Sequence, residues 1–277
     1  MNQKQKAKVF RALHERPGAF IIPNPWDVGT ARILASMGFE ALATTSAGLA
    51  FTLGVKEGIV SKAIALDHCR TIVEATDLPV SADLEKGYGD KPEEVALTIG
   101  DAAATGLAGC SIEDHTGRRS DPIFDFNLAV ERIQAAVEAK RALPHAFVLT
   151  ARCENFLWGR KDLDDTIKRL QQFQNAGADV LYAPGLGDLE SIRTVCASLS
   201  KPVNVVMGMP GARFGLRELE EAGVKRVSVG SALSRAAFGA FVRAAKEMKA
   251  QGTFNFASDA IGFEEIEAYF ENNQSRN

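Results

Sequence analysis

The feature that most constrains the fold is a rhythm of short apolar strands, each launched from a glycine or a proline. "MGFEALATTS", "TGLAGCSIED", "AGADVLYAPG" and "AGVKRVSVGS" place Gly38, Gly106, Gly177 and Gly223 where a helix would end. A glycine there takes the left-handed conformation that closes a helix without a Cβ penalty. Each segment then runs through a brief apolar stretch into small or polar residues. "LPVSADLE", "PHAFVLTARCE" and "KPVNVVMG" follow the same course from a proline, and with "GAFIIPNPWD" at the front there are eight strand candidates. Amphipathic helices fill the gaps: the stretch Asp164 to Gly177 puts Ile167, Leu170 and Phe173 on one face. Strands apolar on both faces, alternating with helices, indicate a covered parallel sheet.

Two architectures satisfy that pattern, an open doubly wound sheet and a closed (β/α)8 barrel. Such barrels commonly need about 250 residues, and the chain has 277. No Gly-x-Gly-x-x-Gly follows the first strand, which weakens the dinucleotide-binding alternative. The expectation is therefore an α/β protein, a single (β/α)8 TIM barrel domain over residues 1–277. Its weakest element is "SLSKPVNVVMGMPG", where the helix on one side is short. "MKAQGTFNFASD" (Met248 to Asp259) is expected to lack regular order, and a helical extension follows at about 255–277. Its apolar positions Ile261, Phe263, Ile266, Tyr269 and Phe270 could cover this barrel or a neighbour's.

Composition narrows the partners. A net charge of -3 invites neither nucleic acid nor an anionic membrane. No 18-residue apolar run occurs, and "MNQKQKAKVFRALHERPG" lacks the apolar core of a signal peptide. Cys69, Cys110, Cys153 and Cys196 have no CxxC spacing, so reduced thiols are expected and zinc is not. A cytoplasmic enzyme that binds a small molecule is the expectation.

The stretch "PVSADLEKGYGD" ends an apolar strand in Asp83, a spacer and Glu85. Side chains two apart in a strand point the same way, so these carboxylates should converge. Chemistry in such a barrel sits at the C-terminal ends of the strands. There Asp83, Glu85 and Glu113 would meet, with Arg152 across from them and Ser46 nearby. Clustered carboxylates repel unless a cation joins them, and an all-oxygen site suits Mg2+, or Mn2+ in its place. The bland reading of any one of these carboxylates is a solvated loop residue or a helix cap. Asp114 should point away from Glu113 as a cap or surface charge. Arg152 is either a structural ion-pair partner or a carboxylate clamp, for which its fork is suited. Ser46 is either a turn residue or, with Ala47 and Gly48, part of an anion cradle.

"TTSAGLAF", "ADLEKGYGD", "SIEDHTG" and "TARCENF", in this order, resemble the isocitrate lyase and phosphoenolpyruvate mutase superfamily. The resemblance spans about residues 18 to 245. It implies a (β/α)8 barrel, a homo-oligomer (a dimer of dimers) exchanging a C-terminal helix between subunits, Mg2+, and a 2-oxocarboxylate of the pyruvate-enolate type. It makes Asp83 the direct metal ligand, with Glu85 and Glu113 holding metal-bound waters. Glu57 stands where the family usually has an Asp. Ser46, Ala47 and Gly48 would bind the substrate carboxylate with Arg152, and Trp26 and Asp27 would shape the floor of the pocket. Asp83, Ser46 and Arg152 are thus the catalytic candidates.

The departures fall in the loop after strand four. The lyase branch has Lys-Lys-Cys-Gly-His there and the mutase Lys-Thr-Asn-Ser, whereas this chain has "DHTGRRSDPIFDF". His115, Arg118, Arg119 and Asp121 are its candidates for acid–base work or for a gate over the substrate. His115 could equally be a loop residue with no chemistry. Tyr88, between two glycines, could line the pocket. Strand six ends at Pro184, where relatives have a Glu or a His. The first hypothesis is a Mg2+-dependent lyase cleaving a C–C bond of a small 2-oxo or 2-hydroxy carboxylate. The alternatives are a phosphonate-handling mutase or hydrolase, a sugar-phosphate barrel using Gly230 and Ser231, and a non-catalytic metabolite-binding barrel.

Overall fold

The computed structural model describes residues 1–271 apart from 210 and 212; the end of the expected extension, 272–277, lies outside the described residues. Eight strands form one parallel sheet: β1 Phe20–Ile22, β2 Leu42–Ala43, β3 Val80–Asp83, β4 Gly109–Glu113, β5 Val148–Arg152, β6 Val180–Tyr182, β7 Val203–Val206 and β8 Arg226–Ser228. Their order is β1-β8-β7-β6-β5-β4-β3-β2. The seam between β1 and β2 is bridged by Ala43 N–H donating to the Pro23 carbonyl at 3.0 Å. Asn24 reinforces it, donating to the Thr44 carbonyl and accepting from the N–H groups of Val229 and Gly230. One side chain thus ties the end of β1 to both neighbours, giving a nearly closed (β/α)8 barrel.

The helices are α1 Gln3–Glu15, α2 Val28–Ser36, α3 Ser46–Thr52, α4 Lys62–Glu74, α5 Pro92–Ala103, α6 Phe126–Arg141, α7 Leu163–Ala176, α8 Leu189–Ala197, α9 Leu216–Glu221, α10 Ala232–Gln251 and α11 Phe263–Glu271. Gly38, Gly106, Gly177 and Gly223 all have φ between +87 and +110°, as their helix-ending role requires. At Gly106 a Cβ would also stand 2.8 Å from Val73, so packing forbids a side chain there as well. The main core lies between the strands and their helices. A second cluster joins Ala7, Phe10 and Leu13 of α1 to Phe20, Ala108, Val148 and Val180 at the beginnings of strands. The N-terminal helix therefore stoppers the lower end of the barrel and leaves the upper end for chemistry.

The region around β7 is the thinnest, as its sequence suggests, with a following α9 of 6 residues. Met248 to Asp259 is more regular than its composition suggests. Helix α10 continues to Gln251, and Asn255–Asp259 forms a 3-10 turn. Glu247 explains the order, its carboxylate accepting from Thr253, Asn255 and Phe256. Helix α11 lies against α2 of its own chain with none of its residues buried. Among the described residues no helix is long and apolar enough to cross a membrane.

Candidate active site

Strands β3, β4 and β5 end on Asp83, Glu113 and Arg152, with Glu113 and Arg152 in register. Arg152 is the hub: its guanidinium stands 3.1 Å from Asp83, 3.2 Å from Glu113 and 2.8 Å from Glu154. The ring of Tyr182 lies beneath it, 5.0 Å away. Ser46, opening α3 after β2, completes the group: its hydroxyl is 2.9 Å from Asp83 and 3.1 Å from Glu57. One hydroxyl proton cannot serve two ionised carboxylates at once. That fits Glu57, whose carboxyl is raised by burial and then by the charge of Asp83.

Glu85 reaches the site by a route that strand alternation does not describe. β3 stops at Asp83, Leu84 turns into the core, and Glu85 has φ +49°, a left-handed backbone uncommon for a non-glycine residue. Its N–H donates to Asp83 at 3.3 Å and its carbonyl accepts from Glu113 N–H. Convergence with Asp83 is real, but a turn produces it. Burial pushes the Glu85 carboxyl up to about 8, with repulsion from Asp83, Glu113 and Glu57 adding to it. Glu113 is raised by burial against the lowering pull of Arg152. A single guanidinium therefore leaves this acidic group short of positive charge.

Whether Mg2+ fits follows from the donors. Among the described residues, no three His, Cys, Asp or Glu side chains stand together as a ready set of direct ligands. The physical reason is Arg152, which occupies the space between Asp83 and Glu113. Mg2+ usually keeps several waters and takes one or two carboxylates. An all-oxygen set short of positive charge, with Asp83 central and Glu57, Glu85 and Glu113 around it, fits a largely hydrated ion of that kind.

A cavity of about 370 Å³ opens over these groups. Ser46, Glu57, Asp83, Glu85, Glu113 and Arg152 line it together with His115, Arg119, Lys86 and Trp158. The His115 ring stacks on Trp158 with centroids 3.8 Å apart and planes 11° from parallel. Its Nε2 is buried with no hydrogen-bond partner, while Nδ1 lies 3.7 Å from Glu113. The four loop candidates thus separate. His115 and Arg119 face the cavity, whereas Arg118 pairs with Asp90 and Asp121 on the outside. The loop is pinned as a small hairpin, with Thr116 N–H donating to Pro122 and Phe124 N–H to Asp114.

Asp114 is no surface charge. It is 3% exposed, accepts from Glu154 N–H at 2.8 Å and pairs with Arg169 at 3.2 Å, bracing the segment after β5. Trp26 does not line the cavity. It backs α3, where a Cβ on Gly48 would meet Thr45 at 2.5 Å and Trp26 at 3.0 Å. Asp27 caps α2 through Thr30. Within the expected anion cradle, Ser46 N–H goes to Asp83 and Gly48 N–H to the Thr45 cap, leaving Ala47 N–H. Tyr88 lines a smaller pocket behind Asp83 and Glu85. Sequence reasoning missed Glu154, Trp158 and Lys86. Glu154 carried a signal, a carboxylate two residues beyond a strand-end arginine; Trp158 carried none.

An eight-stranded parallel barrel with carboxylates, an arginine and a cavity at its C-terminal mouth has the layout of an enzyme-type (β/α)8 barrel. The family model described as phosphoenolpyruvate phosphomutase matches residues 10–249. The chain belongs to that family, within the isocitrate lyase and phosphoenolpyruvate mutase superfamily, whose members are C–C lyases and mutases. It is similar to a solved Burkholderia cenocepacia protein described as a lyase/mutase, with 58% identity, a TM-score of 0.95 and coverage of 97% of this chain and 96% of that one. A second structure from that organism, described as a phosphonomutase, is 36% identical with a TM-score of 0.80, covering 89% and 99%. An oxaloacetate decarboxylase of Pseudomonas fluorescens is 29% identical over 94% of this chain and 90% of its own.

Proposed function

We propose that this chain is a Mg2+-dependent lyase that cleaves a C–C bond of a small 2-oxo or 2-hydroxy carboxylate, leaving a pyruvate-type enolate. The observation that carries the reading is Asp83, ringed by Glu57, Glu85 and Glu113 and joined to Arg152, at the floor of the cavity. When bound, Mg2+ would supply positive charge where negative charge grows on the 2-oxo oxygen. Asp83 would hold it directly, and Glu57, Glu85 and Glu113 would orient its waters.

The chain's own groups do the rest. Arg152 turns part of its fork from Asp83 and Glu113 to the substrate carboxylate, whose other side meets the Ser46 hydroxyl and Ala47 N–H. Arg119, in the cavity lining, offers positive charge for the departing group, and Lys86 lies in the same lining while paired with Asp90. The His115–Trp158 stack screens the bond being broken from water. Decarboxylation of a 2-oxo diacid needs little beyond this arrangement, and the Pseudomonas relative makes oxaloacetate the first substrate to try. Retro-aldol cleavage of a 2-hydroxy acid needs a base as well, and the lack of a partner on His115 Nε2, in the cavity wall, supports that residue for the role. The phosphonomutase relative supports a second reading, a phosphonate substrate in the same pocket.

Calorimetry with oxalate, a planar mimic of the pyruvate enolate, tests the site. Binding that needs both Mg2+ and Asp83 supports the proposal; binding indifferent to both refutes it. Turnover of oxaloacetate against phosphonopyruvate then separates the two readings. We also propose that the protein is cytoplasmic and forms a dimer of dimers by exchange of the C-terminal helix. The outward-facing Phe254, Ile261 and Phe263 support such an assembly. Sedimentation velocity showing only monomer would end it.

A further inference from the structure

Three residues in the lining of the active-site cavity are large, apolar and well exposed: Ile59 at 67%, Leu157 at 40% and Trp158 at 41%. A single exposed apolar side chain is ordinary on a protein surface. Three around one charged cavity are a different matter, because ligand pockets combine apolar surface with a few placed polar groups. The carboxylates, Ser46 and Arg152 supply the polar groups here. The apolar three have no part in handling a carboxylate or a metal ion.

The segment that carries Leu157 and Trp158 is held by the fold. Trp158 N–H donates to the Glu154 carbonyl at 3.1 Å, and Arg160 N–H donates to the Asn155 carbonyl at 2.8 Å. Asn155 is fully buried, and its amide donates to Asp165 and Thr166 of α7. Gly185, after β6, has φ +91°, and a Cβ there would crowd the Leu157 nitrogen at 3.0 Å. These contacts hold Leu157 and Trp158 at the cavity before any ligand arrives.

Size points the same way. The cavity, at about 370 Å³, falls within the range of about 300–1,000 Å³ typical of pockets for drug-sized ligands. A four-carbon diacid such as oxaloacetate is far smaller than such a ligand. Both of its ends are charged, so it has nothing with which to cover Ile59, Leu157 and Trp158.

On the Mg2+–enolate reading of the site, we infer that the substrate is a 2-oxo or 2-hydroxy carboxylate carrying a hydrocarbon substituent of a few carbons beyond its 2-carbon. Ile59 and Leu157 are the residues that select for that substituent. Its carboxylate end meets Arg152 and Ser46, while the hydrocarbon displaces water from Ile59, Leu157 and Trp158. Hydrocarbon on both partners makes the exchange favourable and gives the site a preference that Arg152 and the carboxylates cannot supply.

N-alkyl oxamates are the probe. Their oxamate end is planar and chelating, as oxalate is, and the alkyl group grows from the atom beyond the 2-carbon. In calorimetry with Mg2+ present, Kd should fall by about fourfold for each methylene from N-methyl to N-butyl oxamate, the gain for a buried CH2. N-carboxymethyl oxamate, with a charged tail, should bind more weakly than N-propyl oxamate. Leu157→Ser and Ile59→Ser should each shrink the gain per methylene, and both should fold, since the side chains they replace are exposed. A Kd independent of chain length, tighter binding of the carboxymethyl compound, or an undiminished gain in both variants would each overturn the inference, even with oxalate binding still dependent on Mg2+ and Asp83. Oxalate binding indifferent to Mg2+ and Asp83 would instead mark failure of the enolate reading, and this inference would fall with it.

Discussion

The Arg152 guanidinium lies 3.1 Å from the Asp83 carboxylate, so the residue expected to clamp substrate and the residue expected to hold metal are paired with each other. The pairing offsets part of the repulsion among the carboxylates at the barrel mouth. It also means that cation and substrate should enter together, since each frees one member of the pair for its own partner. Oxalate should therefore bind more tightly with Mg2+ present, and Mg2+ more tightly with oxalate present, by the same factor. Calorimetry in both orders of addition measures the two factors.

Removal of the Asp83 carboxylate should abolish that coupling. Asp83→Ala is expected to lower kcat/KM by about a thousandfold or more, the scale of losing a group that organises charge stabilisation. Its fold should survive, as judged by circular dichroism, because one fewer carboxylate relieves repulsion on Glu85 and Glu57.

Stability should depend on pH in a definite direction. Glu85 has its carboxyl raised from 4.5 to about 8 in the folded chain, and Glu57 and Glu113 are raised as well. Groups with raised carboxyl pKa values bind more protons folded than unfolded, so their contribution weakens as pH rises from about 4.5 through about 8. The melting temperature of metal-free protein should fall between pH 6 and pH 8, and added Mg2+ should raise it more at pH 8 than at pH 6. Equal Mg2+ effects at the two values would contradict the assignment of these carboxylates to the ion.

Trp158→Ala should leave stability within about 1 kcal/mol, as for most exposed substitutions, because the indole is 41% exposed. It should nevertheless lower kcat, since the ring that orients His115 and shields the cavity is gone. His115→Gln should lower kcat by about 10²–10⁴-fold if its Nε2 handles the proton, with little change in oxalate affinity. Unchanged kcat in His115→Gln would confine that residue to the wall.

Asp114→Ala should be destabilising by about 3–5 kcal/mol, because it leaves the Arg169 charge buried with one partner removed. Urea denaturation at constant pH reads this directly. Arg118→Ala, which breaks only outer pairs with Asp90 and Asp121, should cost less than about 1 kcal/mol.

Local spacing carried the barrel and most of the site. Gly38, Gly106, Gly177 and Gly223 mark helix ends because their backbone conformation is a local property. Asp83, Glu113 and Arg152 could be named because strand ends of a barrel all face one mouth. Spacing misled where the chain left regular structure. Glu85 joins Asp83 by a left-handed turn, and Asp114 proved to be a buried brace.

The sequence by itself determined a parallel α/β barrel and an acidic mouth, since periodicity and strand-end chemistry are written within short windows. Only the tertiary structure decided that Arg152 sits among the carboxylates, that His115 rests on Trp158, and that Arg226 crosses the core to Thr150. Those relationships join residues on different elements, and barrel closure sets the distances between them.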